Sequence, residues 1–115
     1  MEENQKAADI QYEDFAKLDI RIGKILAAEK VPETDKLIKC TIDFGELGER
    51  TIVSGIAEWK TPEELVGKLL PYIVNLAPRL LRGVESQGML LAASDESGVA
   101  LLSPERNMAP GSRLK

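Results

Sequence analysis

The sequence predicts a small all-β barrel interrupted by one short helix, and three features predict it. Apolar and polar residues alternate through Ile38-Lys39-Cys40-Thr41-Ile42-Asp43-Phe44, the period-two signature of a strand with one buried face. A helix-capping signature at Thr61-Pro62-Glu63-Glu64 sits alone among short apolar runs and glycine turns. The 115 residues leave room for a single core, and with 4% aromatics that core must be built from Ile, Leu, Val and Ala.

Taken in order, residues 1–8 read as a flexible N-terminal tail and residues 9–115 as one domain. Tyr12, Phe15 and Leu18 recur every third residue, which predicts a short amphipathic helix over Tyr12–Leu18. The period then becomes two: Ile20 and Ile22 alternate with Asp19 and Arg21. Past Gly23 the apolar phase slips by one, to Ile25 and Ala27, as in a bent, bulged strand shared between two parts of a barrel. Pro32–Asp35 turns the chain into the Ile38–Phe44 strand, and Gly45–Gly48 closes a hairpin into Arg50–Ile56. The helix follows, with Thr61 at the N-cap, Pro62 at the first helical position, Glu64 completing the box and Gly67 ending it. Apolar strands are expected over Lys68–Leu76, Gly88–Ala93 and, after the turn Asp95–Gly98, Val99–Leu102. A bent strand, a hairpin, a helix between strands three and four, then further strands is the order of a five-stranded OB-fold barrel. Here it carries an N-terminal helix and a C-terminal strand as additions.

Composition narrows the chemistry. Histidine is absent, which excludes a Ser-His-Asp triad and a histidine base. No carboxylates stand at metal-ligand spacing and no phosphate loop is present, so no metal, no cofactor and no catalytic residue is expected. Cys40 falls on the buried phase of its strand and reads as a small core hydrophobe. A single cysteine, an acidic start without a secretory signal and no long apolar run predict a cytoplasmic protein without a membrane partner. The net charge of −4 argues against polyanion binding, but residues 1–35 carry all of that excess. Between residues 66 and 93, Lys68, Arg79 and Arg82 face only Glu85.

The stretch Asn75–Ala93, NLAPRLLRGVESQGMLLAA, therefore holds the candidate site. Its arginines could be a solvated loop and its glycines mere turn formers. The alternative is an anion-binding loop, in which paired guanidiniums engage phosphates, Ser86 and the glycines admit a backbone, and Gln87 reads a base edge. In an OB fold this segment joins strands four and five, beside the usual nucleic-acid groove.

Several separated motifs now coincide: Asp14-Phe15-Ala16-Lys17, Asp19-Ile20-Arg21-Ile22-Gly23-Lys24, Asp35-Lys36-Leu37, Arg50–Ile56, Thr61–Gly67 and the 75–93 stretch. In this order, over residues 10–115, the chain resembles the tRNA-binding domains found at the C-terminus of bacterial methionyl-tRNA synthetase, as stand-alone tRNA-binding proteins, and in CsaA chaperone-like proteins. The resemblance implies a non-catalytic OB-fold that binds tRNA through shape and backbone, as a symmetric homodimer, alongside the catalytic part of a methionyl-tRNA synthetase. It implies RNA contacts by Asn75, Arg79, Arg82, Ser86 and Met89, with Lys36 and Lys39 bordering the same groove. Leu80 stands where many relatives carry a second base, which with the acidic charge implies a weak, auxiliary contact. Exposed apolar residues at both ends, Tyr12, Phe15, Leu18, Val99 and Leu101, are expected to form the dimer interface. Two other functions fit the same residues: a dimerisation module with vestigial RNA binding, or a CsaA-like chaperone or export factor.

Overall fold

The computed structural model describes residues 6–115; of the expected N-terminal tail, residues 1–5 lie outside the described residues. Among the described residues, nine strands and two short α-helices follow in order, with a 3-10 turn at Gly45–Leu47: α1 (Tyr12–Ala16), β1 (Ile20–Lys30), β2 (Ile38–Asp43), β3 (Glu49–Ser54), α2 (Pro62–Leu65), β4 (Leu69–Ile73), β5 (Arg79–Leu81), β6 (Val84–Ser86), β7 (Met89–Leu90), β8 (Ala92–Asp95) and β9 (Gly98–Leu101). Five of them make one antiparallel sheet in the order β3-β2-β1-β4-β7, the strand order of an OB barrel. The hairpins β5–β6 and β8–β9 stand outside that sheet.

The long bent strand is as expected. Residues Ile20–Lys24 pair with β4 and residues Lys24–Lys30 with β2. Gly23 marks the bend because a Cβ there would lie 2.5 Å from both Ile42 and Phe44. A bulge at Leu26 adds one residue to β1. It turns Ala27 outward, against expectation, and sends Ala28 onto the core instead.

Ile38, Cys40, Ile42 and Phe44 are all buried, with Ile25, Ile52, Leu70 and Tyr72 around them. Phe44 and Tyr72 meet edge to face at 5.5 Å in the middle of this core. Burial pushes the Cys40 thiol up to about 11, so it stays protonated and acts as a small hydrophobe. Helix α2 carries the expected capping box, with the Thr61 N–H donating to Glu64 Oε1 at 2.7 Å and the Glu64 N–H to Thr61 Oγ1 at 3.4 Å. It buries Leu65, and Gly67 then donates its N–H to the Ile25 carbonyl at 2.8 Å.

Two further expectations need correction. Helix α1 stops at Ala16 rather than Leu18. The chain becomes extended at Asp19, whose N–H is taken by the Asn75 side chain. The expected strand Gly88–Ala93 is two pieces: β7 completes the barrel, and after Leu91, which bonds to the Pro71 carbonyl, β8 leaves it to pair with β9. The segment after Ala109 also joins the barrel. Gly111 and Leu114 donate to the carbonyls of Ile22 and Ile20, and the Ser112 carbonyl accepts from Ile22, so this segment occupies the edge of β1 that β2 leaves open.

Candidate nucleic-acid interface

Residues 79–86 form a hairpin, where the sequence suggested an open loop. Arg79 pairs with Ser86, Leu80 with Glu85 and Leu81 with Val84. Its two-residue turn has Arg82 at φ 50° and Gly83 at φ 81°, the two left-handed residues of a type I′ turn. Glycine adopts that conformation freely, whereas an arginine there costs conformational energy.

The hairpin is fastened at both ends. At the exit from β4, Asn75 Oδ1 accepts the Asp19 N–H at 2.8 Å, and Asn75 Nδ2 donates to the Lys17 carbonyl at 2.6 Å. At the return, Ser86 Oγ accepts the Val53 N–H at 2.9 Å and Gln87 Oε1 accepts the Thr51 N–H at 2.9 Å. The Gln87 N–H adds a bond to the Thr51 carbonyl at 2.8 Å. These bonds bridge β3 to the segment entering β7 and nearly close the barrel where no strand ladder does. The hydroxyl of Ser86 is buried and occupied, so it shapes the loop instead of reaching a ligand. The same holds for the Gln87 amide oxygen, expected from sequence to read a base. Asn75 stays exposed and keeps one amide hydrogen free.

Docked in this way, the hairpin covers the outer face of β3, which is why Val53 is buried although it lies on the same face as Lys39. Two depressions flank it. One is a groove of about 430 Å³ bounded by the end of β3, by Arg79 and Leu81, and by Met89–Ser94. It brings Arg79 and Met89 together, as expected, and includes Leu37, next to Lys36. Met89 is 40% exposed, so it is a surface of the groove rather than core. The other depression joins Lys39 and Thr51 to Gly83–Glu85 and Gln87. Lys39, Arg79, Ser86 and Met89 thus surround one hairpin with Arg82 at its tip, whereas Lys36, exposed, lines neither depression.

Sequence reasoning missed the groove's apolar side chains: Val99 is expected at a dimer interface, and Leu81 and Ile56 carry no role in the site. It also missed the arginines that serve the fold. Arg21 binds both oxygens of Asp19, Nε to Oδ1 at 2.6 Å and Nη2 to Oδ2 at 3.3 Å, and its Nη1 donates to the Gly111 carbonyl at 3.1 Å. The Arg21 guanidinium holds the Asp19 carboxyl below the usual carboxylate range. Arg50 donates to the Val74 carbonyl. Of the expected dimer residues, Tyr12 is 75% exposed and Phe15 is 37% exposed, and α1 buries no residue. Leu18 is half-buried. Val99 and Leu101 pack against the chain's own core, which leaves them less to offer a partner.

Comparison with known proteins follows this geometry. The family profile described as "Putative tRNA binding domain" matches residues 20–113. A methionine–tRNA ligase of Porphyromonas gingivalis is 56% identical over 110 residues, covering 95% of this chain and 16% of that protein. One of Archaeoglobus fulgidus is 52% identical over 113 residues, covering 98% and 17%. The chain thus spans about one sixth of the length of these curated relatives. Among solved structures, a MetRS-related protein from Pyrococcus horikoshii superposes with a TM-score of 0.89 at 43% identity, over 95% of this chain and 100% of that one. The chaperone CsaA of Bacillus anthracis does so with a TM-score of 0.86 at 33% identity, over 94% and 100%.

Proposed function

The chain belongs to the tRNA-binding domain family, and from that membership we propose that it is a non-catalytic module that captures tRNA for a methionyl-tRNA synthetase. One observation carries this reading: Arg79 and Arg82 stand on a fastened hairpin beside the groove, with no ion pair among the described residues. Unpaired guanidiniums on a fixed scaffold suit phosphate, and contacts of that kind position RNA without reading its sequence. Lys36 and Lys39 extend the cationic margin on either side of the hairpin. The acidic remainder of the chain keeps the contact weak, as an accessory to binding by a larger catalytic part in the cytoplasm. No helix among the described residues is long and apolar enough to cross a membrane.

We further propose a symmetric homodimer built on the exposed face of α1, where Tyr12 and Phe15 lie 6.3 Å apart, ring centre to ring centre. The domain occupies residues 9–115. The likeness to a protein named as a chaperone supports one competing reading, in which the groove holds extended peptide. A gel shift with mixed tRNA at low and moderate salt tests the RNA function. A shift that weakens as salt rises is expected, and no shift at low salt would contradict it. Sedimentation tests the dimer: a mass of one chain at micromolar concentration would rule it out.

A further inference from the structure

The groove beside the hairpin offers apolar surface next to an almost equal share of polar surface, where a purely phosphate-binding site needs no apolar part. Leu81, Leu90, Val99 and the half-exposed Met89 supply apolar surface, beside the buried Val53 and Ile56. Arg79 is the one charged residue along it, and no carboxylate lines it. A volume of about 430 Å³ falls at the lower end of small-ligand sites, about 300–1,000 Å³. A ligand that fits this chemistry has a compact apolar body with an anionic group attached to it.

Resting on the tRNA reading above, we infer that the groove takes a single unstacked nucleobase while Arg79 holds that nucleotide's phosphate. A paired base cannot enter, because a stacked duplex presents only edges and backbone; RNA-binding proteins reach bases where loops and bulges splay them out. No aromatic side chain lines the groove. The base is therefore gripped by aliphatic groups and by the half-exposed thioether of Met89, whose sulfur is polarizable and contacts ring faces and edges favourably. Ser54 and Ser94 are the hydroxyls along the lining. Each can donate or accept, so they meet any base edge and impose little sequence preference. The domain would then discriminate RNA shape, an extruded nucleotide beside a duplex, rather than charge alone.

Trp59 makes this measurable. It is the single tryptophan, it is half-exposed, and it packs over Gly98, where an added Cβ would lie 2.6 Å from the indole nitrogen. The next residue, Val99, lines the groove. The test titrates the intact chain with a fully paired RNA duplex and with the same duplex carrying one unpaired nucleotide, following Trp59 emission and RNA anisotropy. The bulged RNA is expected to bind about tenfold tighter, toward the low end of what one held base contributes, and to change Trp59 emission. Ala92→Leu, exposed and on the same face of the β8–β9 hairpin as Val99, narrows the groove and should erase that preference while retaining duplex binding. Should its melting curve show unfolding, Ser94→Leu, two residues on and on the same face, serves the same purpose. A free mononucleotide should compete only at far higher concentration.

Equal binding of the two RNAs would overturn the groove assignment and leave tRNA binding standing. Competition by a mononucleotide as strong as that of the bulged RNA would make this a free-nucleotide site and overturn the RNA assignment. An unfolded apolar peptide that shifts Trp59 emission where bulged RNA does not would give the groove to peptide. Failure of every RNA, tRNA included, would remove the parent reading and this one with it.

Discussion

At the start of β1, Arg21 commits its guanidinium to Asp19 and to the Gly111 carbonyl, whereas Arg79 and Arg82 on the β5–β6 hairpin form no ion pair among the described residues. The two regions use the same side chain under opposite conditions. Around Asp19 the charges are partly screened from water, with side chains about one quarter exposed, and Arg21 also reaches the Gly111 carbonyl, 90 residues on. That arrangement ties the C-terminal segment to the barrel. On the hairpin the backbone alone is tied down, and the charges are left to solvent. A cation already satisfied by its own chain holds the fold; an unsatisfied one on a rigid support is available to a polyanion.

The sharpest way to break this contrast is Arg21→Ala. It removes charge-assisted bonds to Asp19 and Gly111 and should cost about 1.5–3 kcal/mol of stability, read from a urea melt, with little change in the salt dependence of RNA binding. The same substitution should alter the acid limb. The folded-state pKa of Asp19 lies below its ordinary 3.8. Its contribution is therefore complete above that value and lost as pH falls through the depressed one. In Arg21→Ala, stability should fall less steeply below about pH 4 than in the native chain.

Ser86→Ala comes next and joins the two regions, because its hydroxyl fastens the hairpin to β3. Removing it leaves the buried Val53 N–H without a partner, at about 1–2 kcal/mol. Melting temperature and tRNA affinity should fall together; an unchanged affinity would separate the hairpin's fastening from its function. Arg82→Asn has a smaller effect of opposite sign. Asparagine tolerates the left-handed turn better, so stability should rise by up to about 1 kcal/mol while tRNA affinity declines. A gain in stability without loss of affinity would mean that the strained arginine serves no ligand.

Much of the fold was legible because its signals are local. The alternation from Ile38 to Phe44, the Thr61 capping box and the apolar phase slip after Gly23 each report their own backbone. The hairpin at 79–86 was not legible. Arg82-Gly83 is not the Asn-Gly or Asp-Gly pair that marks a type I′ turn, and Leu80-Leu81 gives no alternation. Nor was the edge pairing of Gly111–Leu114, which depends on β1 bending away from β2 and leaving an edge open. Within the site, Arg79 and Arg82 were found as candidates because residue chemistry is visible in sequence, whereas Met89 entered only through the family resemblance. Ser86 and Gln87 were assigned to the ligand because sequence cannot tell a polar group facing solvent from one closing a barrel seam.

The central claim, that RNA phosphates meet the hairpin arginines and not those of the barrel end, is tested most directly by the salt dependence of tRNA binding. Wild type and the Arg79→Ala/Arg82→Ala double variant are titrated with tRNA at several salt concentrations, each with a melting curve. Two lost phosphate contacts should lower the slope of log K against log salt by roughly 1.4–1.8, at about 0.7–0.9 per contact. Stability should stay within about 0.5 kcal/mol of wild type, as for surface changes that break no bond. Equal affinity and equal slope for the two proteins would take the hairpin out of the RNA interface and contradict the account.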